Sequence, residues 1–237
     1  LVHGASNPTF DIGRLAYDYW LATSEVAPPA SWLTWGPGHA DVTNDATDDP
    51  TGIPDLRPLR FQNHINVSAS VKNDLAAFTV RVDTLLITSF GFVRPPRKLE
   101  FALSLYIWSL GRRQPTHPLS ESAARGQDVF EQTCARCHRA DATTAPPIAA
   151  SKVGTDPNAS QSSQRGTGLY RIPSLFMVAD RQRLLHRSNL GSLEAMFDPD
   201  RQDQVPGHVY GLDLAADELA DLLRFIRESP VLRAPDR

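Results

Sequence analysis

Cysteine is nearly missing from this chain of 237 residues, which contains only two, at positions 134 and 137. A structural zinc site would need a second pair of ligands of this kind, and the chain has no further cysteine to supply one. Alternating strand patterns are also almost absent, so a thioredoxin-like redox pair, which follows a strand in a βαβ unit, is not expected. The two thiols are therefore not expected to form a structural zinc site or a thioredoxin-like redox pair.

An excess of one charge and a long apolar run are also lacking. The chain has 24 Lys and Arg and 27 Asp and Glu, giving a formal net charge of −3, which argues against nucleic acid and anionic membranes as partners. The longest apolar run, residues 101–110, is too short to span a bilayer. The first residues lack the charged and apolar regions of a secretory signal, so any signal peptide is expected to be absent already.

The two cysteines lie in the run 134–138, which has the form C-x-x-C-H. Covalent haem attachment requires this pattern, because the two thiols add to the haem vinyl groups and the adjacent imidazole binds the iron. We therefore predict one haem c, attached at Cys134 and Cys137, with His138 as the proximal iron ligand. A chance C-x-x-C pair is the alternative interpretation, and the helical run in front of the motif argues against it.

Apolar residues with a helical period predict an all-α fold. The predicted helices cover residues 11–24, 73–90, 97–110, 120–133 and 215–229. The helix at 97–110 is apolar on most sides and is expected to be buried between other helices. Two segments are expected to be loops: the Ser- and Gly-rich residues 151–168, as a flexible surface loop, and the acidic residues 41–49. The acidic segment could bind calcium but lacks the ligand spacing of an EF-hand, so a solvated loop is expected.

The helices on the two sides of the motif carry a specific pattern. Gly126 and Phe130 lie four residues apart on one face of the first, and Leu222 and Phe225 lie on the last. This pairing resembles the class I c-type cytochromes, in which a helix with a glycine and an aromatic residue crosses the C-terminal helix at close range. The resemblance implies that Gly126 and Phe130 contact Leu222 and Phe225.

Further segments resemble the bacterial di-haem cytochrome c peroxidase superfamily, especially its rubber-oxygenase branch. They are residues 36–41, 53–56, 105–110, 170–175, 185–186, 192–194 and 207–214. The resemblance implies two cytochrome c-like helical domains, a degenerate one without a haem motif at 1–118 and a class I-like one with the haem at 119–237. The superfamily has two attachment motifs, so the first is either lost here or lay upstream of Leu1.

Four side chains are candidates for the far side of the iron: Met177, His186, Met196 and His208. His208 is favoured, because Gly207 and Gly211 allow close backbone approach and the loop lies just before the last helix. The rubber-oxygenase resemblance also implies a distal histidine at position 208. Met196 is the second choice, since thioether ligation is common. Met177 is expected in the core, and His186 could bond a haem propionate.

These expectations define two main classes of function, beside a third, structural class in which the haem domain serves only as an assembly subunit. The first is a periplasmic electron carrier, with the iron held by His138 and His208 and no catalytic residue. It would act with redox partner proteins and could be a subunit of a larger complex. The second is a peroxidase- or oxygenase-type di-haem enzyme whose first haem segment lies upstream of Leu1. The periplasm is expected because the resembling families attach haem c outside the cytoplasmic membrane.

Overall fold

The structure is a computed structural model that describes residues 4–6, 11–41, 43, 45, 47–89, 93–112 and 117–232. Its regular structure is mostly helical, as predicted. The α-helices are α1 (Ile12–Thr23), α2 (Leu75–Thr84), α3 (Arg97–Ser109), α4 (Glu121–Thr133), α5 (Ala150–Val153), α6 (Asn158–Gln161) and α7 (Ala216–Glu228). Within the described part of the chain, no helix has the length and apolarity that a membrane crossing requires.

Four short strands accompany the helices and form two antiparallel pairs. They are β1 (His39–Asp41), β2 (Pro50–Gly52), β3 (Ile148–Ala149) and β4 (Leu169–Tyr170). β1 pairs with β2, and β3 pairs with β4. The strands are too short to have left a periodic signal in the sequence. Each of the five predicted helices is present, although the predicted end of the second at Phe90 lies outside the described residues.

Side-chain caps explain where three of the helices begin. The carboxylates of Asp11 and Asp74 accept hydrogen bonds from the first turns of α1 and α2, at 3.0 and 2.7 Å. The Ser120 hydroxyl accepts from the backbone N–H of Ala123 at 3.2 Å at the start of α4. Each cap satisfies a backbone donor that the helix leaves unpaired.

Helices α4 and α7 cross at Gly126, as predicted. A Cβ atom at position 126 would clash with the carbonyl of Asp221 and lie only 2.9 Å from the backbone nitrogen of Leu222. One turn further along α4, the rings of Phe130 and Phe225 lie 5.3 Å apart, and the Phe130 side chain is fully buried. The crossing therefore fixes the end of α4, from which the C-x-x-C-H motif continues.

The largest apolar core surrounds this crossing and also receives a residue from the first half of the chain. Phe61 packs its ring 4.8 Å from that of Phe176. Backbone hydrogen bonds join the halves as well, from Arg171 N to Val67 O at 3.0 Å and from Gly52 N to His186 O at 2.8 Å. The first half therefore packs directly on the half that carries the motif.

The prediction that the helix at 97–110 is buried is wrong. Its large apolar side chains at positions 99, 101, 103, 105 and 106 are all exposed, by 41% or more. The buried positions on α3 are Glu100 and Ser104, and near its end Trp108 packs against Phe78 of α2. Apolar side chains are expected to be buried, but within the described part of the chain α3 is covered only on the side that faces α2.

The prediction of a flexible loop at 151–168 is also wrong, because this segment contains α5 and α6 and is tied to the acidic loop. Asn158 donates to Asp49 at 3.0 Å, and the Ser162 hydroxyl donates to Asp45 at 2.6 Å. The polar side chains that indicated a solvated loop form hydrogen bonds across the two halves instead. The Asp41 carboxylate accepts a hydrogen bond within its own loop, from Thr43 N at 2.8 Å.

Candidate haem site

The C-x-x-C-H motif forms a tight turn that continues directly from α4. The backbone nitrogen of Cys134 donates to Phe130 O at 2.8 Å, and that of His138 donates to Cys134 O at 2.9 Å. Both cysteines are free thiols and half-buried. Burial raises the pKa of Cys134 to about 11, with a smaller contribution from Cys137. A reactive redox cysteine has a lowered pKa, so this environment does not suit a dithiol–disulfide pair.

The imidazole of His138 is oriented by one backbone carbonyl. Its Nδ1 lies 2.9 Å from the oxygen of Pro173, and since a carbonyl only accepts, Nδ1 carries the proton. This leaves Nε2 as the nitrogen with a free lone pair. Burial, with a smaller effect of the neighbouring His208, lowers the pKa of His138 to about 4. The ring is therefore neutral near pH 7, which is the form that binds a metal.

The segment that holds this carbonyl is itself held by Arg181, which the sequence did not reveal as important. Arg181 donates from Nη2 to Ser174 O at 2.9 Å and to Phe176 O at 2.7 Å. The Ser174 hydroxyl donates to Ala142 O at 2.6 Å. An isolated arginine in a loop gives no periodic signal, so only the fold shows that it supports the partner of His138.

His208 lies opposite His138, at a separation that fits one metal ion between them. The two ring centres are 6.2 Å apart and the rings are inclined by 41°. A metal–imidazole bond of about 2.0–2.1 Å on each side, with about 1.1 Å from each nitrogen to its ring centre, gives about 6.3 Å. The separation of the two imidazoles would thus allow His138 and His208 to hold one iron ion together.

The backbone around His208 adopts conformations that favour glycine. Gly207 has φ of 101° and Gly211 has φ of 82°, and His208 itself lies in the left-handed region at 51°. A Cβ atom at Gly207 would come within 2.7 Å of the backbone of Thr155. The close approach at Gly207 is thus to the backbone of Thr155, and the predicted approach of this loop to the haem stays a prediction.

Comparison with known families assigns this half of the chain. Residues 123–230 match the model of the cytochrome c family. Residues 123–230 therefore form a cytochrome c domain. A cytochrome c domain binds haem c covalently and exchanges electrons with redox partners, so a haem-based redox role follows from the family.

A solved structure resembles most of the chain. The cytochrome is similar to a MauG-like protein associated with microbial copper homeostasis, with 14% identity and a TM-score of 0.50. The likeness covers 79% of this chain and 75% of that chain. At this identity the likeness shows the fold alone. Comparison with curated proteins finds no match.

The other candidate ligands of the cytochrome lie in different surroundings. Met177 is 5% exposed and belongs to the core, as predicted. Met196 packs against the same core from a short 3₁₀ turn. His186 stacks on Tyr170, with ring centres 5.0 Å apart, and burial lowers its pKa to about 4. Among these candidates, the structure brings His208 into ring contact with His138.

The attachment assignment predicts the behaviour of cysteine variants of the cytochrome. In Cys134→Ala or Cys137→Ala, at most one thioether forms, so one haem vinyl group stays unsaturated and the pyridine haemochrome band moves to longer wavelength. The double variant is expected to lose covalent haem entirely. The measurements are the haemochrome spectrum and the intact mass of the denatured protein. Arg136→Gln, at the exposed position between the cysteines, is the matched control and should keep both thioethers.

Unshifted, fully covalent haem in both single variants would show that these thiols do not attach it.

Proposed function

We propose that this protein is a periplasmic electron carrier in which His138 and His208 hold one haem iron from opposite sides. The observation that carries the proposal is the 6.2 Å separation of the two imidazoles. A bound haem supplies a one-electron change at its iron. With one imidazole on each face, no coordination position stays open for peroxide or oxygen, so electron transfer is the chemistry that this arrangement favours.

Different residues attach the haem, bind its iron and set its reduction potential. Cys134 and Cys137 attach the haem and His138 is its proximal ligand, with Nδ1–H donating to Pro173 O. This hydrogen bond fixes the ring orientation and raises the electron density at the coordinating nitrogen. His208 is the distal ligand. An imidazole there is a harder ligand than a thioether, and methionine ligation raises the potential of cytochromes. We therefore expect a lower potential than Met196 ligation would give.

We further propose a two-domain organisation, with a degenerate cytochrome c-like domain at 1–118 and a class I-like domain at 119–237. The family match at 123–230 lies wholly in the second. The structural likeness covers 79% of the chain and therefore extends into the first. The many contacts between the halves suit a first domain that acts as a scaffold or docking surface for redox partners, within or for a larger redox assembly.

A second candidate function is a di-haem peroxidase or oxygenase, for which the superfamily fold provides the support. Such an enzyme needs a haem with an open coordination position. The two candidates differ in what the iron accepts from solution.

The spectrum of the purified holoprotein tests the proposal. One haem per chain, low-spin in both oxidation states and without a sulfur–iron charge-transfer band, is the expected result. The ferrous protein should bind carbon monoxide only weakly, because His208 occupies the coordination position most of the time, and a redox titration should follow a single one-electron curve. A high-spin iron that binds carbon monoxide and turns over hydrogen peroxide would favour the enzyme and overturn the carrier.

A further inference from the structure

Arg201 holds the loop that carries His208. Its side chain is 7% exposed and donates four hydrogen bonds to backbone carbonyls. Nε donates to Met196 O at 2.9 Å, and Nη1 to Val205 O at 2.7 Å and Gly207 O at 2.9 Å. Nη2 donates to His208 O at 3.0 Å. One guanidinium group therefore connects the turn before the loop to the residue proposed as distal ligand.

The four backbone carbonyls compensate the buried positive charge of Arg201. Within the described residues Arg201 forms no ion pair, and Asp198 acts on it only through space. A buried charge is unfavourable unless hydrogen bonds compensate it, and a planar guanidinium with several fixed donors can do this where a lysine cannot. The carbonyls must stay in place for the charge to be tolerated, so the arginine and the loop conformation depend on each other.

The loop requires such support because its backbone is strained. His208 has φ of 51°, which is unfavourable for a residue with a Cβ atom. Two further contacts act in the same direction as Arg201. Gln202 donates to Gly207 O at 3.0 Å and accepts from Gly207 N at 2.9 Å, and His208 N donates to Val153 O at 2.7 Å. A loop held at so many backbone atoms keeps one position for the imidazole.

We propose that Arg201 is a positioning residue that keeps the imidazole of His208 at the iron and thereby keeps small external ligands away from it. The inference rests on the proposed function, since it takes His208 as the distal ligand. We call the four hydrogen bonds from Arg201 to the loop and the turn before it the clamp. When the clamp is weakened, the loop spends more time in a conformation in which His208 is withdrawn from the iron. The apparent affinity for an external ligand rises in proportion to that withdrawn fraction.

Two substitutions at position 201 test the clamp in the holoprotein. Arg201→Gln removes the charge and most of the donors. Arg201→Lys keeps the charge but concentrates it on one ammonium nitrogen, which cannot reproduce the planar arrangement of guanidinium donors. A rise in the withdrawn fraction from about 1% to about 10% increases the carbon monoxide affinity of the ferrous protein roughly tenfold. We expect at least this change for Arg201→Gln, with a high-spin component in the ferric spectrum, and a smaller change for Arg201→Lys. Arg224→Gln, at an exposed arginine of α7 paired with Glu228, is the matched control and should change neither.

A double variant separates positioning from general support. In the His208→Ala background the imidazole is absent, so Arg201→Gln should leave the carbon monoxide affinity unchanged. An arginine that only stabilised the fold would lower the melting temperature equally in both backgrounds without changing ligand affinity, and that result would overturn the proposal. Should Arg201→Gln fail to fold, Gln202→Ala, which removes two bonds to Gly207, must raise the affinity in the same direction.

Failure of this inference and failure of the proposed function give different results. If His208→Ala opens the iron while Arg201→Gln and Gln202→Ala stay fully low-spin with unchanged affinity, the clamp is disproved and the ligand assignment stands. If His208→Ala leaves the spectrum unchanged, the ligand assignment itself is disproved.

Discussion

Replacing His208 by alanine is expected to convert the low-spin spectrum of the holoprotein to a high-spin one. The methyl side chain cannot reach the iron, so one coordination position opens while both thioethers and His138 stay in place. The ferrous variant should then bind carbon monoxide, and added imidazole should restore a low-spin spectrum by filling the same position. The Soret and visible bands report the first change, and titrations with the two ligands report the second.

Met196→Leu is the matched comparison for this experiment. The substitution conserves volume in a partly buried side chain that packs against the core, so the cost in stability should stay below about 1.5 kcal/mol. The spectrum should not change. The reverse pattern, with an open iron in Met196→Leu and an unaltered His208→Ala, would transfer the distal role to Met196 and raise the expected potential.

Local sequence patterns predicted the parts of the molecule that depend on neighbouring residues. The helical period of apolar residues predicted α2 and α4, at whose starts the structure places the caps Asp74 and Ser120. The helical period depends on spacing along one segment, which a sequence shows directly. The crossing at Gly126 joins distant segments, and it was implied by the resemblance to class I c-type cytochromes.

Features that depend on distant partners were not accessible in this way. The apolar residues of α3 predicted burial, yet Phe101 is 47% exposed, because periodicity does not say which surface will cover a helix. The polar residues near Ser162 predicted a free loop, yet their partner is an acidic segment more than a hundred positions earlier. Arg201 carried no signal at all, since its acceptors are backbone carbonyls, which are the same at every position.

The first half of the chain contributes to the proximal side of the site. Phe61 packs on Phe176, and Gln62 accepts a hydrogen bond from Arg171. The buried pair Asp55–Arg57 reaches Asp180 through a further contact of 3.3 Å. Phe176 belongs to the segment that Arg181 holds behind His138. The orientation of His138, the proposed proximal ligand, is thus supported by both halves, which gives the first half a structural role.

Replacing Gly126 by alanine is expected to lower the stability of the holoprotein strongly. On an exposed helix surface the same change would stabilise by about 0.5–1 kcal/mol, because glycine is the poorer helix former. Here the added methyl group would overlap the Asp221 carbonyl. Backbone of a neighbouring helix cannot rotate away as a side chain can. Overpacking of this kind costs about 1–3 kcal/mol, and occasionally more.

Thermal and denaturant unfolding of the Gly126→Ala holoprotein measure this loss, and Gln127→Ala at the adjacent exposed position is the control. The control should differ from the wild type by no more than about 0.5 kcal/mol. A Gly126→Ala variant as stable as the wild type would mean that α4 and α7 do not approach at this residue. Because the end of α4 leads directly into Cys134 and His138, the strain should also reach the haem. Movement of α4 away from α7 shifts the turn on which both the thioethers and the proximal ring depend, so a broadened low-spin spectrum is expected together with the loss of stability.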